Sequence, residues 1–262
     1  GEFSLALEDY QEILEKCSSP MEKNEVYKRM ESHFFRRGQL EKGIESMENK
    51  FTEREKYDAP INILTDKIDV AEKYIMIGRK DTALQIVETL EQLGPPLDHV
   101  ATLGYLIIYL ELENTDSIEK YLPVFAKHIE EKQFGVLQNL EFYARARLYE
   151  LKGEYDHAIR EYTKVLEFQP VSKDMHYHIG RCFRKQKEFR EAEDHLLEIL
   201  GVHPFRPDEL YELGLVYAEW GKEEKALEYL NRALLVWEKA DPEYEPAVNA
   251  KELLTKLESG SP

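Results

Sequence analysis

The chain has 262 residues, 42% hydrophobic and 33% charged, with 52 acidic against 35 basic side chains and a formal net charge of −17. That apolar fraction excludes a disordered polymer, and the acidic balance disfavours broad binding to phosphate backbones. Two cysteines, Cys17 and Cys182, give neither a disulfide framework nor zinc-ligand spacing, and the longest apolar run, LGYLIIYL (103–110), is far too short for a bilayer span of ~20 residues.

In chain order, residues 1–18 read as one helix with Gly1 as a corner, Ala6 as a small contact and Tyr10 as an aromatic filler. This is a half-unit whose partner helix is missing, and it reads as the start of an excerpt from a longer chain. Residues 24–57 and 64–97 each read as two helices. The first has Tyr27, Phe34 and Gly38 in place, but Glu31 and Gly43 where a small residue and Ala are expected. The second has Ala71, Tyr74, Gly78, Ala83, Leu90 and Pro95. Residues 98–138 are longer, lack a corner glycine and carry Pro123 inside the second helix, so a kink or break is expected there.

The next three units, 139–172, 173–206 and 207–240, superimpose at a shift of 34 residues. Ala158 falls on Ala192 and Ala226, Tyr162 on Leu196 and Leu230, Ala146 on Gly180 and Gly214, and Pro170 on Pro204. Gly153 turns the first helix of its unit, Pro170 ends the second, and small residues at 146 and 158 let the two helices touch. Asp241-Pro242 is expected to open a last helix, 242–258. It covers the final unit with Val248, Leu253, Leu254 and Leu257 and turns Asn249, Lys251, Glu252, Lys256 and Glu258 to water. Residues 259–262 are expected to be disordered. Fixed self-similarity at this length predicts an all-α solenoid.

This pattern resembles the tetratricopeptide repeat. The resemblance is strongest over 139–240, good over 64–97 and weakest over 98–138. It implies a right-handed superhelix of antiparallel helix pairs whose first helices form a concave wall. Carried over position by position, it implies a partner-binding groove containing Leu106, Tyr109, Leu110, Tyr143, Arg147, Tyr177, His178, Arg181, Arg184, Lys185 and Tyr211. The implied function is a non-enzymatic scaffold for a protein or peptide bearing acidic and apolar or aromatic residues, with no nucleic acid and no membrane. The competing reading of the four cations is that they pair with neighbouring glutamates; for LGYLIIYL it is a helix buried on both sides. The inner positions of the three regular units contain no Asn, so the carboxylate clamp of chaperone-tail binders is not expected.

Residues 212–254 are also similar in style to the C-terminal repeats of bacterial multidomain signalling proteins, which implies a cytoplasmic regulatory role. The alternative function is self-association into a homodimer, with Phe3, Leu7, Tyr10 and Leu14 of the half-unit seeking cover. His176 and His178 lie two apart on a helix and diverge, so the first is assigned to the core and the second to the groove. Cys182 is read as an inert buried thiol. No metal site, cofactor motif or catalytic constellation is identified.

Overall fold

The computed structural model describes residues 2–57, 70–71, 73–75, 79–91, 99–132, 137–168, 172–242 and 244–259. Its helices are α1 (Glu2–Lys16), α2 (Pro20–Arg36), α3 (Leu40–Arg54), α4 (Lys80–Glu91), α5 (His99–Glu111), α6 (Thr115–Lys132) and α7 (Gln138–Leu151). They continue as α8 (Tyr155–Phe168), α9 (Lys173–Gln186), α10 (Phe189–Val202), α11 (Pro207–Glu219), α12 (Glu223–Val236) and α13 (Glu245–Glu258). Among the described residues there is no strand. Gly1, Gly78, Pro95, Pro170 and residues 260–262 fall outside the description, as do the side chains of Phe3, Leu7 and Leu90.

The repeat is written in the backbone. Among the described residues, φ is positive at Gly38, Glu113, Gly153, Lys187 and Gly221, each at the corner between the two helices of a unit. Residues 153, 187 and 221 are 34 apart. Two corners carry side chains, so a left-handed turn is made there without glycine at some steric cost. At Glu113, Asn114 supports the turn by accepting the Ser117 N–H at 3.0 Å. This explains how 98–138 turns without glycine. Pro123 lies inside α6, which remains one helix from Thr115 to Lys132 rather than breaking.

Packing within a unit follows the small residues. Ala158, Ala192 and Ala226 are fully buried. A Cβ at Gly180 would lie 2.8 Å from Leu196 Cγ, and one at Gly214 would lie 2.7 Å from Leu230 Cδ2. The preceding unit uses a different solution for the same space, Ala146 with Tyr162, both fully buried. Glycine admits a branched side chain, whereas alanine stands with a planar one. In the first unit, Gly43 leaves room for the Phe35 ring, 2.7 Å from where a Cβ would be. Glu31 there is no exception to burial: it is 3% exposed and its carboxylate meets Lys50 Nζ at 2.7 Å.

Among the described residues, α1 to α3 and α4 to α13 each pack against the next helix in sequence, and first helices also touch each other, α5 with α7 and α9 with α11. That second set of contacts makes the inner row. At the C-terminus, Ala247 and Ala250 are buried, Leu253, Leu254 and Leu257 pack on the last unit, and Asn249, Lys251, Glu252, Lys256 and Glu258 are exposed. The helix opens at Glu245 with Pro246 in its first turn, not at Asp241-Pro242. Asp241 does cap a helix, but a distant one: its carboxylate accepts the N–H of Leu40, the first residue of α3.

Candidate functional site

Tyr143, Tyr177 and Tyr211 come from α7, α9 and α11, 34 residues apart, and each is half-buried. Their regular spacing puts one phenol on each successive first helix. Burial raises the Tyr143 and Tyr177 hydroxyls above the ordinary phenol value, so both are neutral donors. Arg181 lies over the Tyr177 ring, 5.6 Å from its centroid, and keeps a third of its side chain exposed.

The other cations on this wall are spent internally. Arg147 donates to Glu150 at 2.9 Å, and only 8% of each side chain is exposed. Glu150 is a hub: it accepts the Tyr162 hydroxyl at 2.6 Å, lies 3.2 Å from His178 Nδ1 and is approached by Arg181 at 3.6 Å. Burial pushes the Glu150 carboxyl up. The close approach of His178 and the charges of Arg147 and Arg181 more than reverse this, holding it below the usual carboxylate range. His178 stacks on Tyr162 at 5.1 Å, and burial lowers its imidazole. Arg184 is buried and donates to both Glu212 and Glu219.

The predicted free cationic zone is therefore corrected. Arg147 and Arg184 are buried ion-pair members, and His178 is enclosed beside them. Only Arg181 and Lys185 of these remain accessible, Lys185 being exposed and Arg181 partly so. Leu106, Tyr109 and Leu110 are also corrected: they are 1%, 8% and 2% exposed, in the core cluster with Tyr105, Ile118 and Phe125. α5 is apolar all round because it is covered on both sides.

Basic surface missed from the sequence lies on α2. Lys28, Ser32 and Arg36 recur at four-residue intervals on one face of that helix and are exposed. They line two adjoining clefts of about 330 and 400 Å³, joined in the first by Phe35, Lys50 and Lys73 and in the second by Tyr10, Arg29 and His33. Glu31 and Glu25 are the acidic residues of these clefts. Among the described residues neither Lys28 nor Arg36 has an ion-pair partner. The i, i+4, i+8 spacing is present in MEKNEVYKRMESHFFRR, but Glu31 and Gly43 depart from the repeat pattern in this unit.

His176 and His195 approach through their Nδ1 atoms at 3.0 Å, and Cys182 is fully buried. Among the described residues no group of three or more His, Cys, Asp or Glu could hold a metal ion. No described helix is long and apolar enough to cross a membrane.

Residues 143–207 and 184–245 match the family model described as tetratricopeptide repeat. Residues 143–245 are similar to tetratricopeptide repeats. By fold, this chain resembles a chain in the crystal structure of the APC/C hetero-tetramer Cut9–Hcn1, with a TM-score of 0.67 and 19% identity over 94% of the present chain. The present chain spans 44% of that one. It also resembles a tetratricopeptide repeat protein from Parabacteroides merdae, with a TM-score of 0.58 and 17% identity over 98% of this chain and 93% of that one. At such identities the likeness concerns the repeat solenoid alone. It agrees with the helix pairs and the 34-residue corners described above.

Proposed function

We propose that this chain is a scaffold that binds an extended acidic segment of a partner protein along its inner row of first helices. The observation that carries the reading is the aromatic file Tyr143, Tyr177 and Tyr211, half-buried and one per repeat, with Arg181 stacked on its middle member. Tyrosine offers contact area at low entropic cost, and the phenols and Arg181 supply directional hydrogen bonds. The exposed cations Lys28 and Arg36 supply charge complementarity to carboxylates on a chain that is otherwise strongly acidic. Membership of a hetero-tetramer by the fold neighbour is in keeping with such a role. A recruitment role within a larger cytoplasmic signalling protein rests on the likeness of residues 212–254 noted above.

The test is fluorescence anisotropy with a library of labelled extended peptides carrying glutamate and tyrosine or leucine. Lys28→Glu with Arg36→Glu should weaken the selected peptide by about tenfold or more, equivalent to ~1.4 kcal/mol. Tyr177→Ala should weaken it independently, and binding should fall steeply with salt. A selected peptide whose affinity is indifferent to all three changes would refute the reading.

A further inference from the structure

The corner of the first full repeat touches the turn after the last one. Trp237 donates its indole N–H to the Arg36 carbonyl at 3.0 Å. The Asp241 N–H donates to the Gly38 carbonyl at 2.7 Å, and the Leu40 N–H donates to the Asp241 carboxylate. Gly38, at φ +67°, sits under the Tyr244 ring: a Cβ there would fall 2.5 Å from Tyr244 Cδ1 and 2.8 Å from Ala240 Cβ. These groups are about 200 residues apart in sequence.

Two features distinguish this junction from incidental proximity. First, it satisfies groups that a helix leaves unpaired at its ends: carbonyls at the end of α2 and the first N–H of α3. Second, the other glycine corners are open. A Cβ at Gly153 would find only the Tyr155 hydroxyl at 4.0 Å, and one at Gly221 would find nothing within 4 Å. Among the described glycine corners, crowding is confined to the one that meets the far end of the chain.

We propose that this junction is a latch that closes the row of repeats on itself and, by opening, controls access to the inner face. The closing bonds are few, α2 packs on α3, and from α4 to α13 each helix packs on the next. The junction can therefore part without unfolding a repeat. A partner that needs the open state binds with an affinity reduced by the closed fraction, so loosening the latch is a means of regulating binding. The latch is independent of which partner binds, and its test uses none, so it and the proposed function fail separately.

The experiment is pulsed dipolar spectroscopy of the full chain with spin labels at Glu45→Cys and Lys239→Cys in a Cys17→Ser background. A single narrow distance is expected with Asp241 present. Asp241→Ala should add a longer-distance population, and Asp241→Asn, which keeps an acceptor for the Leu40 N–H, should restore the narrow one. Leu40→Pro, which removes the donor at a helix position that tolerates proline, should open the latch independently of any effect of Asp241→Ala on folding. In parallel, Lys185→Cys in the Cys17→Ser background, where Cys182 stays buried, should react with a polymer-bearing maleimide about fivefold faster when Asp241→Ala is added, while a small maleimide reacts equally in both. Distance distributions identical in all variants, or equal polymer rates with an open junction, would overturn the proposal.

Discussion

Glu31→Ala puts the first full repeat to a quantitative test. The Glu31 side chain is 4% exposed and Lys50 8%, with 2.7 Å between their charged atoms; Lys73 stands 3.9 Å from the other carboxylate oxygen. Removing the carboxylate leaves Lys50 charged and enclosed, which costs about 3–5 kcal/mol in comparable buried pairs. Lys50 keeps its cation–π contact with Phe51, at 4.7 Å, so the lower end, about 3 kcal/mol, is expected here. Glu31→Met with Lys50→Met removes both charges together and should return stability to within about 1 kcal/mol of the starting chain. The assay is amide hydrogen exchange read on α2 and α3, because a repeat array need not unfold as one unit. A loss below about 1 kcal/mol in the single variant, or a double variant worse than the single, would refute the reasoning.

Gly180→Ala should destabilise by about 1 kcal/mol, the strain of crowding Leu196 exceeding the gain in helix propensity, whereas Gly201→Ala, with nothing within 4 Å, should stabilise by about 0.5 kcal/mol; thermal melts with the reverse order would contradict this. In the native chain one thiol, Cys17, should react with a thiol reagent at mildly alkaline pH, because burial raises the Cys182 thiol; a stoichiometry of two per native chain would contradict it. Stability should fall as pH drops through about 6.5, because His33, His178 and His195 are held below the ordinary imidazole value, mainly by burial. The unfolded chain then binds more protons than the folded one, so the native state is favoured above that pH and loses ground below it. Melting temperatures that stay flat or rise from pH 7.5 to 5.5 would count against it.

The solenoid was readable because Ala158, Ala192 and Ala226 report the same physical constraint three times, and all three are fully buried. What a period does not encode is where charges are spent. Arg147 and Arg184 occupy groove positions, yet each is consumed by glutamates, one in its own helix and the others from the neighbouring unit. Non-glycine corners escaped notice as well: Glu113 and Lys187 adopt a conformation that sequence normally signals with Gly or Asn. Asp-Pro at 241–242 is a strong local capping signal, yet the helix Asp241 serves is about 200 residues away. The site on α2 was hidden for the opposite reason, since Glu31 and Gly43 break the pattern that marked the other repeats.

The bond between Asp241 and Leu40 has a consequence for how the protein comes apart. In a linear stack each end frays on its own, and damage at one terminus is felt by the adjacent unit and little further. Here the first hairpin borrows its helix cap from the chain's other extremity. Losing the segment after Val236 would leave the first N–H of α3 uncapped, so amide exchange at the start of α3 should rise together with that of α12.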